Sequence, residues 1–426
     1  MKQNLISVRS MYSIDSGIHS PQTLAKHVSD NSISEYLPLV ETGNFFSFVK
    51  HRRACAHYGL KPIYGTEIVL KGFGRITFIA KSNSGFIALK RLVSIAHKNN
   101  SEVGEIFVDI VDVESIPDGS CYFFIESDSY FDSRCESYVK GFLKTGDMYV
   151  KLNPYEFDGR ACSKANFVLT SDVCFLTPDY KLIHDIRMSV KEKVLIEDFE
   201  SPYGYYNCFV DPLDFCEQSS SITGVSLVNV EELYSICDVE FGLDVVDLPR
   251  FPFHDFDSEE DALHSIVNEL YTNRIESIQR ANSKFSIQDY QSRLAEELSV
   301  IIDMGYAGYF LIVWDYIKWA RNNDVPVGPG RGSGAGSFVA FLLDIITIDP
   351  LKYGLLFERF LNKERISMPD FDIDFCSIGR DRVIAYTKHR YGEDVAAQIC
   401  TFTTMGGRSA IKDIARVFGV NADKVA

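Results

Sequence analysis

The chain has 426 residues, 46 % of them hydrophobic and 13 % aromatic, with a formal net charge of −16. That length exceeds one ordinary domain, and the apolar share excludes a disordered or fibrous chain. The acidic balance excludes an indiscriminate nucleic-acid binder and leaves room for a local basic patch. No run reaches the roughly 18 apolar residues of a membrane span; the longest candidate, Tyr306 to Trp314, ends at Asp315. The first residues lead into Ser, Arg and Asp rather than an apolar signal core, so a cytoplasmic location without membrane contact is expected. Ten cysteines, from Cys55 to Cys400, form no CxxC pair, which argues for reduced, small apolar residues rather than disulfides or a zinc ribbon.

Residues 1 to about 245 alternate short apolar runs with helical stretches. Gly59 to Ile68 reads as a turn feeding a strand, and Ile76–Ala80 and Phe167–Thr170 read as buried strands. This alternation predicts an α/β domain with a largely parallel sheet or barrel. The pattern breaks near Leu248-Pro249-Arg250-Phe251-Pro252 and then turns helical. Asp261 to Gln279 puts Leu263, Ile266 and Leu270 on one face, and Asp289 to Met304 does the same with Leu294, Leu298, Ile301 and Ile302. A more hydrophobic helix is predicted over Tyr309–Arg321. From Ser377 onward eight basic residues oppose five acids, a net +3, which fits a mixed-charge helical face or a basic patch.

The first motif with chemistry is Val325-Pro-Val-Gly-Pro-Gly-Arg-Gly-Ser-Gly-Ala-Gly-Ser337, followed by the apolar run Phe338–Leu343. A short strand entering a glycine-dense turn, with a helix starting near Ser333, offers close backbone approach and unpaired N–H groups to a phosphate. Arg331 adds a forked cationic donor. A Walker A loop is excluded because no Gly-Lys-Ser/Thr is present. A relaxed dinucleotide fingerprint, Gly330-x-Gly332-x-x-Ala335 with Asp349 downstream, and a plain glycine-rich connector both remain open.

The second motif is Ser367-Met-Pro-Asp370-Phe-Asp372-Ile-Asp374-Phe375. Three aspartates alternate with Phe371, Ile373 and Phe375, so on a strand the carboxylates share one face and the apolar residues the other. Same-face neighbours are about 6–7 Å apart, and clustered carboxylates need compensation, most often by a divalent metal. A calcium loop also begins D-x-D-x-D but needs glycine at its sixth position, where this chain has Phe375. An acidic edge strand without a ligand stays open. Together, a phosphate cradle and a carboxylate strand are the parts nucleotidyl transfer requires.

At this point the chain resembles family C DNA polymerases, the bacterial replicative (polymerase III alpha) kind. Met304-Gly-Tyr-Ala-Gly-Tyr-Phe-Leu-Ile-Val313, the glycine block, Leu356-Phe-Glu-Arg-Phe-Leu-Asn362 and Ser367–Phe375 follow one another as in that family, and Thr401-Phe-Thr-Thr-Met405 and Ile411–Val417 continue the match. The resemblance implies that Asp370 and Asp372 are catalytic, Mg²⁺-binding aspartates serving two ions, with Asp374 in support. It implies that Arg331, Gly332 and Ser333 contact the incoming triphosphate and that Arg359 lies near it. The implied fold is a PHP-like distorted (β/α) barrel over residues 1–245, then an incomplete polymerase-beta-like nucleotidyltransferase palm with flanking helices over 246–403, then the start of a thumb over 404–426.

The barrel resembles the PHP domain more weakly, through Tyr12-Ser13, Gly43-Asn44, Lys61–Gly65 and Thr170–Val173. Where metal-competent relatives carry His-x-His this chain has Ser7-Val8-Arg9, and their Thr-Asp-His-Gly-Asn becomes Val40-Glu41-Thr42-Gly43-Asn44. Arg75 and Cys174 stand at two further histidine positions, while Glu67 and His184 survive. Arginine at a ligand position disfavours a cation, so no PHP metal and no phosphoesterase activity are expected.

The family's third catalytic aspartate lies far downstream. The expectation is therefore an N-terminal fragment or split half of a polymerase, inactive alone and completed by a C-terminal polymerase part. Primer–template DNA, dNTPs, a proofreading exonuclease and other replisome subunits are its implied partners. Two competing readings are a non-catalytic module that docks an exonuclease and a PHP-type phosphoesterase.

Overall fold

The computed structural model describes residues 4–14, 16–99, 106–131, 147–157, 165–220, 222–223, 225–241, 249–253, 255–363, 368–393 and 396–420. The domain boundary expected at 245/246, Leu248 and Ser367, the first residue of the aspartate motif, lie outside these. The chain divides into two compact units, Met1–Leu243 with Thr404–Ala426, and Asp244–Thr403. The segment expected to begin a thumb thus groups with the first unit. Helices of ten or more residues are numbered α1 to α9.

The first unit is built on strands β1 (Tyr36–Thr42), β2 (Lys61–Leu70), β3 (Gly74–Ala80), β4 (Phe107–Val108), β5 (Cys121–Glu126), β6 (Met148–Leu152), β7 (Asn166–Leu169) and β8 (Ser226–Leu227). They run in the order β1-β2-β3-β5-β6-β7-β8, with β4 beside β2. The sheet is mostly parallel; the β2–β3 and β3–β5 pairs are antiparallel. β2 and β3 are joined by a three-residue hairpin loop, too short for a parallel crossover, whereas α2 (Phe48–Tyr58) carries the chain between the parallel β1 and β2. Helices α1 (Pro21–Asp30), α3 (Asn83–Lys98), α4 (Lys181–Glu192) and α9 (Gly407–Val417) complete the long helices of this unit.

The segment Ser7-Val8-Arg9 ties two distant parts of this sheet together. Val40 N–H on β1 donates to Val8 O at 2.9 Å, and Val173 N–H, beyond β7, donates to Ser7 O at 2.8 Å. Arg9 N–H returns to Val173 O at 2.9 Å, so hydrogen bonding runs around the sheet and closes it as a distorted barrel. Alternation along the strands buries both faces. Ile76, Phe78, Phe123 and Ile125 pack with α3 residues Phe86, Leu89 and Leu92, while Ile79, Tyr122, Phe124 and Tyr149 pack with Val230 and Tyr234.

The second unit is mainly helical around one apolar core. Helix α5 (Glu259–Ala281) starts on an Ser258 cap, and α6 (Ile287–Asp303) on a Ser286/Asp289 capping box. Leu263, Leu294, Leu298 and Ile301 are buried as their spacing predicts, while Ile266, Leu270 and Ile302 are only half-buried. Helix α7 (Ala307–Asn322) begins two residues before the predicted window and buries Phe310, Leu311 and Ile317; α8 (Arg380–Tyr391) closes the list of long helices. Among the described residues no single helix is long and apolar enough to cross a membrane.

One local expectation is corrected. The helix predicted to start near Ser333 is a four-residue 3₁₀ turn, Ser333–Gly336, and the α-helical turn Phe338–Leu342 begins only after Ser337. Gly334 and Gly336 disfavour α-helix, and the Ser337 hydroxyl caps the later start by accepting from Ala340 N–H.

Candidate active site

The two motifs are paired with each other. Isolated antiparallel bridges join Val327 to Phe375 and Arg331 to Asp372. Gly328 N–H donates to Asp374 O at 2.8 Å, and Cys376 N–H donates to Pro326 O at 3.0 Å. The glycine segment thus pairs with the aspartate segment, but through isolated bridges: the regular strand expected over the aspartates is not formed. Phe371 is buried, Ile373 and Phe375 half-buried, and Asp370 and Asp374 exposed, as the alternation predicts.

Two glycines are demanded by this pairing. Gly332 has φ +72°, and a Cβ there would lie 2.7 Å from Asp372 Oδ2. Gly330 has φ +96°, and its Cβ would meet Ile346 Cγ2 at 2.6 Å. A side chain at either position would combine an unfavourable backbone with a clash.

Arg331 reaches across to the acids. Its guanidinium lies 3.1 Å from Asp372 Oδ1 and 3.3 Å from Asp374 Oδ1, with side-chain exposures of 58 %, 37 % and 63 % respectively. Tyr309 anchors the aspartate segment: its hydroxyl accepts from Phe371 N–H at 3.0 Å, and its ring stacks on Phe371 at 5.7 Å. Burial raises the Tyr309 pKa, and Asp370 and Asp372 add to the rise, so both carboxylates bear on this one hydroxyl. Gly332 is exposed against Asp372, Ser333 is exposed next to it in the chain, and Arg359 is exposed at the end of the 3₁₀ turn Phe357–Arg359.

The N–H groups of the helix after the loop are not open to a ligand. Glu297 on α6, fully buried, accepts from Phe338 N–H at 2.8 Å, Val339 N–H at 3.0 Å and the Ser337 hydroxyl at 2.8 Å. Arg293, one turn earlier, donates to Glu297 at 2.6 Å, Gly336 O at 2.8 Å and Leu355 O at 3.2 Å. Burial raises the Glu297 pKa against the pull of these donors. The helix start expected to offer unpaired N–H groups is therefore closed, and the exposed part of the loop is Arg331–Ser333. Sequence reading passed over Arg293 and Glu297; their four-residue spacing on α6 was the available signal.

A second acidic group sits in the barrel. Among the described residues, Glu67, Glu126 and Asp172 are the three metal-type ligands whose oxygens all lie within 4.8 Å of one another; the Asp370–Asp374 trio is more spread. Two cations already occupy that group. Arg9, 2 % exposed, lies 2.8 Å from Glu67 and 2.6 Å from Asp172. Lys151, equally buried, lies 3.2 Å from Asp172 and also pairs with Glu126. Burial opposes the charge on both, but the carboxylates outweigh it and raise both pKa values. Arg75 approaches Glu67 at 3.4 Å. His184 is buried, with Nδ1 3.1 Å from Asp185 and its ring edge-on to Tyr203. Glu126 and Lys151 were missed because no local motif marks them, and Asp172, within the Thr170–Val173 segment, was not singled out as an acid of this group; three separate strands or strand ends bring them together.

Two family models match in chain order: the PHP domain over residues 6–116 and the bacterial DNA polymerase III alpha NTPase domain over residues 262–426. The second contains the whole paired site. Over nearly its whole length the chain is similar to DNA polymerase III alpha subunits. It is 34 % identical to that subunit of Buchnera aphidicola from Schizaphis graminum, 33 % to that of Pseudomonas aeruginosa and 31 % to that of Escherichia coli K12. Each alignment covers 97 % of this chain but 38 % of the polymerase III alpha subunit, so the chain spans little more than a third of those relatives' length. Among solved structures, a two-domain protein from Bacteroides vulgatus described as containing a predicted PHP-like metal-dependent phosphoesterase matches with TM-score 0.24 and 14 % identity. It covers 34 % of this chain and 43 % of that one, too distant a likeness to carry an argument.

Proposed function

We propose that the second unit supplies the metal- and phosphate-binding part of a DNA polymerase site that adds dNTPs to a primer 3′-hydroxyl. The observation that supports this is the direct pairing of the glycine loop with the Asp370–Asp374 segment, with Arg331 and Gly332 against the carboxylates and Ser333 the next residue of the loop. Asp370 and Asp372 offer exposed or half-exposed hard oxygens, and Asp372 already draws a cationic side chain, so the donor set fits Mg²⁺. Two such ions would activate the attacking hydroxyl and stabilise the leaving pyrophosphate. Tyr309 and the Val327–Phe375 bridge hold the acids in place, Asp374 shares Arg331, and Arg331 and Arg359 are the cations available to the triphosphate.

In the barrel, we infer that Arg9 and Lys151 take the place of divalent metal among Glu67, Glu126 and Asp172, leaving a scaffold without phosphoesterase chemistry. Primer–template DNA and a proofreading exonuclease docked on the first unit are the partners this reading implies, in the bacterial cytoplasm. The test is Mg²⁺-dependent dATP binding by the 426-residue chain. Asp372→Asn should remove it, and an unchanged affinity in that variant contradicts the reading.

A further inference from the structure

We infer that Arg293 and Glu297 are positioning residues for the triphosphate subsite, an inference that rests on the nucleotide reading above. Neither side chain faces the ligand. Glu297 is fully buried and binds the far side of the loop through Ser337, Phe338 and Val339. Arg293 binds the carbonyl of Gly336, the last residue of the 3₁₀ turn that carries Ser333. It also binds the carbonyl of Leu355, two residues before the turn that carries Arg359.

One ion pair on α6 therefore grips both segments that present the candidate phosphate contacts. Those segments are glycine-rich or short, and they cannot hold a fixed geometry by themselves. Charge-assisted hydrogen bonds inside an apolar core are the strong kind, and leaving a buried donor unpaired costs more than the bond is worth in water. A carboxylate is required for this grip. Each Glu297 oxygen accepts at least one backbone N–H, so the amide of Glu297→Gln would turn a donor toward Phe338 or Val339 N–H. The aspartate segment has its own anchor in Tyr309 and does not share this pair.

The experiment compares the 426-residue chain with its Glu297→Gln, Arg293→Met and Arg293→Lys variants. Two ligands are titrated, dATP with Mg²⁺, and Mn²⁺ alone. Glu297→Gln and Arg293→Met should weaken dATP by about tenfold or more and leave Mn²⁺ affinity unchanged, with Arg293→Lys recovering part of the loss. Unaltered dATP binding, or equal losses for dATP and Mn²⁺, overturns the inference. Amide hydrogen exchange separates this from failure of the nucleotide reading. Should the parent chain bind Mn²⁺ but no dATP, that reading falls. Faster exchange over residues 332–340 in Glu297→Gln, with α7 unchanged, still supports the grip on the loop, and unchanged exchange overturns it.

Discussion

The barrel and the helical unit each gather carboxylates around cationic side chains, but the two clusters differ in depth. Arg9 and Lys151 are 2 % and 3 % exposed, whereas Arg331 is 58 % exposed. A buried pair is held because removing one partner strands a charge in low dielectric, while an exposed pair in water is worth little and exchanges readily. Burial therefore separates a cation that is part of the fold from one that can yield its carboxylate to a metal. On the reading proposed above, the same acid–arginine contact is scaffold in one unit and part of a metal site in the other.

The sharpest way to break this comparison is Arg9→Ala. Glu67 would lose its buried partner and Asp172 one of its two, and stability should fall by about 3–5 kcal/mol, read by urea or thermal unfolding. Arg331→Ala should change it by less than about 1 kcal/mol. Equal effects would erase the distinction.

Acid should weaken the barrel next. Burial pushes the His51 pKa down to about 4, against hydrogen bonds with the Ile63 and Leu37 backbone. A histidine whose folded pKa is lowered favours folding fully above its ordinary value near 6.5 and loses that contribution as pH falls. The loss should be about 1.4 kcal/mol per pH unit between roughly 6.5 and 4. Asp172, whose pKa Lys151 and Arg9 lower against its burial, adds a further loss only below the ordinary carboxylate range. His51→Gln should flatten the upper part of this profile, followed by melting temperature at pH 7 and pH 5.

A smaller loss than those in the barrel belongs to the aspartate segment. Tyr309→Phe removes the acceptor for Phe371 N–H and should cost about 1 kcal/mol, with a drop in Mn²⁺ affinity if Tyr309 fixes the acids. Unchanged metal binding would restrict that hydroxyl to packing.

Much of this was legible in the sequence because its signals are local. The periodicities of α5 and α6, the apolar run of α7 and the alternation of Phe371 and Ile373 with the aspartates follow from burying apolar surface. The arginine at Ser7-Val8-Arg9 correctly marked a cation in the barrel interior. What was not legible is long-range. The pairing of Arg331 with Asp372 joins residues 41 apart in the chain, which neither motif announces. Lys151 reads as an interruption in an apolar run until β6 turns it toward Asp172. Glu297 looks like one more acid on an amphipathic helix until its partners on the loop are seen.

The most direct test is Mn²⁺ titration of the parent chain beside Asp372→Asn and Glu67→Gln. Binding should disappear in Asp372→Asn and persist in Glu67→Gln, because only the exposed carboxylates are free to exchange their cation. Binding that survives Asp372→Asn and is lost in Glu67→Gln would place the metal in the barrel and contradict the account.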